Sequence, residues 1–135
     1  MRVVVDTNVV VSALLRPGSV PARALDLLLE RGALFLYDTR IVAEYRSVLA
    51  RPKFRPIDPA RRERLLDELL AAPPIAHVPA WPGPLLDPDD RMFVEVALAS
   101  HADAVITGNL RDYPSDLGFE VLPPATLLAR LESSR

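Results

Sequence analysis

The sequence predicts an α/β fold in which a central parallel β-sheet of about five strands carries helices on both faces. Two observations support this fold. Short runs of β-branched residues alternate with longer segments that have helical start and stop signals, as expected for parallel strands joined by right-handed crossovers. Half of the 135 residues are hydrophobic, which suffices for one ordinary core. Because no repeat or long linker interrupts the pattern, we expect a single domain over residues 1–135.

The first part of the chain is predicted to begin with a buried strand. Residues 2–5 form an apolar run that is typical of a short strand covered on both faces. A helix over 8–15 follows and stops before Pro17. Ser19 is a good cap for the next helix, which Gly32 ends.

The middle of the chain is predicted to contain a strand at 33–37 and two helices. We expect Thr39 to cap the first of these helices, which runs to about residue 50. The second covers 60–72, opens at Pro59 and closes at a proline pair. The alternation of strand and helix therefore continues here.

The last part of the chain adds the remaining elements of the predicted sheet. A proline-rich loop over 79–84 separates the strand expected at 75–78 from the elements that follow it. The β-branched runs and cap signals predict strands at 75–78, 104–107 and 119–122, and helices at 87–101 and 124–131.

The composition excludes several kinds of site. There is no cysteine, which excludes disulfides, thiolate metal sites and cysteine catalysis. His77 and His101 are too few for a histidine-rich zinc site. The apolar runs are too short to span a membrane, and we expect a soluble, cytoplasmic protein. With a net charge of −2, binding to nucleic acid would depend on a local basic patch.

Asp6 is the first candidate site residue. It follows the strand at 2–5 directly, together with Thr7 and Asn8. In open α/β sheets, ligands bind at the carboxyl ends of the strands, so Asp6 is a candidate metal ligand or nucleophile. The alternative is that Asp6 only caps the following helix, although Asn8 could cap it instead.

Glu44 is the second candidate and lies inside the predicted helix that begins near Thr39. At 100° per residue, the apolar side chains of this helix form one arc, and Glu44 lies just outside its edge. The alternative interpretation is a surface glutamate paired with Arg40, one helical turn away.

The acidic run at 87–90 supplies a third candidate. Its acids and proline are good helix-start residues, because carboxylates favour the positive end of the helix dipole. Asp90, however, shares a helix face with the apolar Phe93, Val94 and Ala97. A carboxylate on a buried face needs a partner, and a metal ion would serve.

The fourth candidate segment follows the strand at 104–107. Thr107 and Asn109 place side-chain oxygens at the carboxyl edge of the predicted sheet, on either side of Gly108. Asp112 follows one turn later. The alternative interpretation is an ordinary turn, in which Asp112 caps a short helical segment.

These candidates are predicted to meet, because strand-to-helix junctions of a parallel sheet share one edge. Crowded carboxylates repel each other unless a cation neutralises them. Oxygen ligands without cysteine or histidine suit Mg²⁺ or Mn²⁺. The associated chemistry is phosphoryl transfer or phosphodiester hydrolysis.

Four segments of the chain resemble the PIN domain family: VVVDTNVVVSALL, the helix with Glu44, DPDDRMFVEVALA and AVITGNLRDYP. The chain is most similar to bacterial PIN proteins assigned to toxin–antitoxin systems, relatives of the VapC toxins. This resemblance covers essentially the whole chain. It implies a Mg²⁺- or Mn²⁺-dependent endoribonuclease, frequent homodimers and inhibition by a small antitoxin protein.

By position, the resemblance implies that Asp6, Glu44 and Asp90 are the catalytic, metal-binding acids. Among the acids of 87–90, Asp90 is selected because it stands seven residues before Ala97, as the family's acid does before its helix alanine. The three acids are therefore expected to form the core of the site.

The resemblance also assigns the polar residues around these acids. Thr7 and Asn8 match the polar residues that follow the family's first acid. The chain departs from the family at Asn109, where many PIN domains carry aspartate. An amide brings no charge, so we expect Asp112 to act as a metal ligand in its place and a second metal to be held only weakly.

A basic stretch is the predicted contact for RNA. It consists of Arg51, Lys53, Arg55, Arg61, Arg62 and Arg64, and arginine suits phosphate. The RNA contact is assigned to Arg61, Arg62 and Arg64. The alternative interpretation is a solvated helix face. Phe54 and Trp81 could stack on bases, although a tryptophan among prolines more often fixes a loop to the core.

Two other functions remain open from the sequence. One is a PIN module that binds RNA or a protein partner with weak or no catalysis, which Asn109 favours. The other is a phosphatase of the haloacid dehalogenase type, which also begins with an aspartate after a first strand. That chemistry requires a second aspartate two residues later, where this chain has Asn8.

Overall fold

The computed structural model describes residues 1–85 and 87–134 and shows an α/β fold around one parallel sheet. The sheet has four strands in the order β2-β1-β3-β4. These strands are β1 (Arg2–Val5), β2 (Leu34–Phe35), β3 (Ala104–Ile106) and β4 (Glu120–Leu122). All three pairings are parallel; Val3 lies opposite Phe35 and Ala104.

Within the described residues, six α-helices connect and flank the strands. They are α1 (Thr7–Leu15), α2 (Val20–Glu30), α3 (Thr39–Leu49), α4 (Pro59–Leu69), α5 (Arg91–Ala99) and α6 (Pro124–Ser133). Three short 3₁₀ turns lie at Pro52–Phe54, Pro88–Asp90 and Leu110–Asp112. The predicted fold class is therefore confirmed.

The two central strands form the middle of the core. Val3, Val4 and Val5 of β1 and all three residues of β3 are buried. A parallel strand covered on both faces is expected to be apolar at every position. This explains why the first strand could be predicted from an unbroken β-branched run.

The predicted fifth strand at 75–78 is absent from the described residues. Ile75 donates one backbone hydrogen bond to Tyr37 (2.8 Å), but the pairing does not continue. His77 adopts a left-handed backbone conformation with φ of 56°, which interrupts an extended chain. Prolines on both sides of the segment also lack the donor that a ladder requires.

Some predicted element boundaries also differ from those observed. Strand β2 is limited to two residues. Asp38, rather than Thr39, is the N-cap of α3, and its carboxylate accepts from the amides of Arg40 and Ile41 (both 3.1 Å). The helix predicted over 87–101 is divided into a 3₁₀ turn and α5.

The fold places several strand-to-helix junctions at one edge of the sheet. Asp6 follows β1, and Thr107 follows β3, the neighbouring strand. The Asp6 amide donates to the carbonyl of Ile106 (2.9 Å), which fixes the two junctions side by side. Within residues 1–85 and 87–134, no helix combines the length and apolar character needed to cross a membrane.

Candidate functional site

A cleft of about 340 Å³ opens at this edge of the sheet. Its lining contains five acidic residues: Asp6, Glu44, Asp87, Asp89 and Asp90. The described part of its wall has one basic side chain, from Arg51, and an apolar side formed by Val11, Val48, Phe54 and Phe93. The structure thus brings together the three acids that the sequence analysis selected.

Asp6 lies at the base of the cleft and is almost fully buried, with 4% of its surface exposed. Its Oδ2 atom accepts hydrogen bonds from the hydroxyls of Thr107 (2.9 Å) and Tyr113 (2.8 Å). Asp6 occupies the N-cap position of α1, yet its side chain makes no capping hydrogen bond. Capping therefore describes the position of Asp6 on α1, while the side-chain hydrogen bonds of its carboxylate come from Thr107 and Tyr113.

The electrostatic environment of Asp6 is dominated by burial. Burial raises the pKa of Asp6, while the hydrogen bonds from Tyr113 and Thr107 act in the opposite direction. Burial, together with the negative charge of Asp6, also raises the pKa values of Tyr113 and Tyr45. Both phenols therefore remain protonated: Tyr113 donates to the Asp6 carboxylate, and Tyr45 donates to the carbonyl of Val5 (2.5 Å).

Asp87, Asp90 and Asp112 form a cluster of carboxylates beside Asp6, which we call the acidic triad. One carboxylate oxygen from each of the three lies within 4.8 Å of the others. Two members come from the segment that opens α5, and Asp112 comes from the 3₁₀ turn after β3. Asp87 also accepts a hydrogen bond from the Asp89 amide (2.9 Å) through Oδ1.

Asp90 is the buried member of the acidic triad. Burial, and then the negative charges of Asp6, Asp87, Asp112 and Asp89, raise the pKa of Asp90 to about 7. Near neutral pH and without metal, Asp90 is therefore partly protonated, which lowers the negative charge of the cluster. A bound divalent cation would remove the same repulsion, and an all-carboxylate donor set fits Mg²⁺ or Mn²⁺.

Glu44 reaches the cleft from α3 but stays outside the acidic triad. It is half-buried and contributes to the cleft wall. The alternative pairing with Arg40 is not observed. Arg40 instead binds Asp38 (2.8 Å) and Glu95 (2.7 Å), so Glu44 keeps its carboxylate in the cleft.

The polar residues next to Asp6 connect the two central strand ends. The sequence offered Asn8 as an alternative cap of α1, but Asn8 does not cap this helix. Its Oδ1 accepts from the Gly108 amide (3.0 Å), and its Nδ2 donates weakly to Thr107 Oγ1 (3.5 Å). Asn109 is exposed, and its backbone amide donates to Thr107 Oγ1 (3.0 Å).

Thr7 presents an unexplained polar atom in the same wall. Its Oγ1 is buried and has no hydrogen-bond partner among the described residues. A buried hydroxyl without a partner is unusual, and in this cleft it is consistent with a polar ligand that binds there.

The arginines of the predicted basic stretch differ in their contacts. The Arg61 guanidinium donates to the carbonyls of Leu14 (2.7 Å) and Ala13 (2.8 Å) at the end of α1. Arg62 pairs with Glu63 (3.0 Å). None of Arg61, Arg62 and Arg64 lines the acidic cleft, whereas the exposed Arg51 does.

Trp81 fixes its proline-rich loop to the body of the domain. Its amide donates to the buried Glu95 carboxylate (2.7 Å), and its carbonyl accepts from Arg91. The Arg91 guanidinium also lies over its ring, 5.7 Å from the centroid. These contacts fix the loop around Trp81 against α5.

Two site residues were not selected from the sequence. Asp87 was interpreted as a helix cap, which it is, so nothing in its local pattern distinguished a second role. Tyr113 carries no sequence signal, since its contact with Asp6 depends on the path of the chain after β3. The position of Asp112 one turn after Asn109 was the available hint for the acidic triad.

Comparison with known proteins agrees with this geometry. The model of the PIN domain family matches residues 2–111. An uncharacterized protein of the archaeon Methanocaldococcus jannaschii is 32% identical over 113 residues, covering 81% of this chain and 71% of that protein. No solved structure matches the chain.

Proposed function

This chain is a member of the PIN domain family, and from that premise we propose that it is a Mg²⁺- or Mn²⁺-dependent endoribonuclease that hydrolyses RNA phosphodiester bonds. PIN domains are generally nucleases. The observation that supports this proposal most directly is the acidic triad beside Asp6, with oxygens within 4.8 Å of one another and a pKa of about 7 at Asp90.

The acidic triad, Asp6 and Glu44 have different roles in the proposed reaction. Asp87, Asp90 and Asp112 would hold the cation, and Asp6 would contribute from the end of β1. When bound, such an ion polarises the scissile phosphate and lowers the pKa of a water molecule. Glu44 lines the same cleft, where its carboxylate can orient the attacking water or accept its proton.

The remaining wall of the cleft suits a nucleotide. Among the described residues that line the cleft, Arg51 has the basic side chain. A guanidinium binds phosphate oxygens in a bidentate manner. Phe54 and the neighbouring valines offer an apolar surface for a base. Bases are accessible to such a surface when they are unpaired, so we propose single-stranded RNA as the substrate.

The uncharged side chain of Asn109 affects how many cations the site can hold. Its side chain is uncharged and exposed, and it is outside the acidic triad, where Asp112 supplies the carboxylate from the same loop. This arrangement supports catalysis with one well-held ion. A PIN module that binds RNA or a protein without cleavage remains the second candidate, because a second cation would lack the charge that an aspartate at 109 would bring.

The proposed biological role is that of a toxin component in a toxin–antitoxin system. It is supported by the resemblance of the sequence to bacterial PIN toxins, which also suggests a homodimer and a small antitoxin partner. Co-expression with the product of the neighbouring reading frame tests it. Restored growth of cells that the protein alone arrests is expected, and growth unaffected by the protein would contradict the role.

Cleavage of a labelled single-stranded RNA tests the enzymatic proposal. We expect cleavage by the wild-type protein only with added Mg²⁺ or Mn²⁺, and none by Asp6→Asn or Asp90→Asn. Asp67→Asn is a matched control, because Asp67 is exposed on α4 and outside the cleft. Cleavage that persists in either site variant, or in the presence of a chelator, would contradict the assignment.

A further inference from the structure

Asp6 receives two hydroxyl hydrogen bonds on the same carboxylate oxygen. Thr107 Oγ1 and Tyr113 Oη both donate to Oδ2, at 2.9 Å and 2.8 Å. A carboxylate oxygen has about two lone-pair sites, so these donors occupy Oδ2. Among the described residues, no other side chain donates to the Asp6 carboxylate, whose charged form is also stabilised by the backbone amides of Asn8 and Thr7.

We propose that Tyr113 is a positioning residue that restricts Asp6 to binding a cation through Oδ1 alone. This inference rests on the proposed function, since it requires a cation at the acidic cleft. Tyr113 does not touch the cation in this arrangement. It fixes the rotation of the Asp6 carboxyl group, so that one oxygen faces the cleft.

The path of the chain gives Tyr113 a second effect on the site. Tyr113 directly follows Asp112, a member of the acidic triad. Thr107 lies at the other end of the same loop, so the loop over 107–113 is attached to Asp6 Oδ2 at both ends. The Tyr113 hydroxyl therefore also fixes the distance between Asp112 and Asp6.

The burial of Tyr113 makes this bond a defined structural feature. Tyr113 is 7% exposed, and Thr107 is fully buried. Water cannot readily replace a donor removed from such a position. In the Tyr113→Phe variant, Asp6 keeps the Thr107 bond but gains freedom to rotate, and Asp112 loses its link to β1.

The chain offers a matched control in Tyr37. Tyr37 is 6% exposed, and its hydroxyl donates to the carbonyls of Leu70 (3.0 Å) and Ala72, away from the cleft. Tyr37→Phe thus removes a buried tyrosine hydroxyl without touching the site. A general loss of stability should appear in both variants, and a loss of positioning only in Tyr113→Phe.

The test is calorimetric Mn²⁺ titration of the full chain without RNA, followed by RNA cleavage at increasing Mn²⁺. Residues that orient metal ligands typically contribute tenfold to a hundredfold in affinity. We expect Tyr113→Phe to bind Mn²⁺ about tenfold more weakly than wild type and Tyr37→Phe to match wild type. Cleavage by Tyr113→Phe should approach the wild-type rate at saturating Mn²⁺.

The outcomes separate this inference from the proposed function. Wild-type affinity in Tyr113→Phe would overturn the positioning role alone. Failure of the wild-type protein to bind Mn²⁺ would overturn both. If Tyr113→Phe does not fold, Thr107→Val tests the same carboxylate from its second donor. Weaker Mn²⁺ binding by that variant supports the fixed orientation of Asp6, and unchanged affinity overturns it.

Discussion

Asp90 and Asp112 lie in different crossover segments, yet they place carboxylate oxygens within 4.8 Å of each other. Asp90 ends the 3₁₀ turn before α5, and Asp112 ends the 3₁₀ turn after β3. Two carboxylates at this distance repel each other strongly when both are charged. The consequences of this contact for stability and metal binding can be measured separately.

The first prediction concerns stability without metal. The pKa of Asp90 is raised from 3.8 to about 7 in the folded protein, so the folded state binds a proton more tightly than the unfolded chain. Stability contributed by this group is therefore present at low pH and is lost as pH rises from about 4 to above 7. Asp90→Asn removes the charge and should be more stable than wild type at pH 8.

Urea unfolding in the presence of a chelator measures this difference. We expect Asp90→Asn to exceed wild type by on the order of 2 kcal/mol at pH 8, and by clearly less at pH 5. Asp67→Asn should show no such pH-dependent gain. A variant that is less stable than wild type at pH 8 would mean that the ionised Asp90 is stabilising, contrary to this account.

The second prediction concerns the departure from the family at Asn109. Because Asp112 belongs to the acidic triad and Asn109 is exposed outside it, Asp112→Asn should weaken Mn²⁺ binding at least about tenfold. Asn109→Asp should change the affinity much less. Calorimetry of both variants checks this order, and the reverse order would assign the cation to residue 109.

The third prediction concerns contact with RNA. Arg51 lines the cleft, while Arg64 lies in a different groove formed with α1 and α2. Arg51→Gln should weaken RNA binding for all sequences and reduce the salt dependence by about one unit of slope, as for one lost phosphate contact. Arg64→Gln is the matched control and should leave the slope unchanged.

Binding of a labelled single-stranded RNA at several salt concentrations measures both slopes. Asp90→Asn can serve as the background for these measurements, so that the RNA is not cleaved. An unchanged slope in Arg51→Gln, with a reduced slope in Arg64→Gln, would contradict this account and assign the RNA contact to residues 61–64 of the basic stretch.

The sequence predicts the fold and part of the site because their signals are local. The β-branched run before Asp6 identifies a buried strand, and the strand ends then define the edge where Asp6 and Thr107 meet. By contrast, the strand expected at 75–78 depends on pairing, which the left-handed His77 prevents. Local propensity does not record such a competing backbone conformation.

The remaining site residues depend on contacts between distant segments. Asp87 satisfies a helix start on its own, so its proximity to Asp112 becomes visible only in three dimensions. Tyr113 is likewise an ordinary aromatic residue in the sequence. Its hydroxyl meets Asp6 because the loop after β3 folds back onto the end of β1, which no periodicity or spacing encodes.

Calorimetric titration of the metal-free protein with Mn²⁺ at pH 8 and pH 6 tests the central claim most directly. Because a proton on Asp90 competes with the cation, and the pKa of Asp90 is about 7, we predict clear binding at pH 8 that weakens at pH 6. Asp90→Asn should abolish binding at pH 8, while Asp67→Asn should bind like wild type. Absence of binding by wild type at pH 8, or equal binding by Asp90→Asn, would contradict a cation site at the acidic triad.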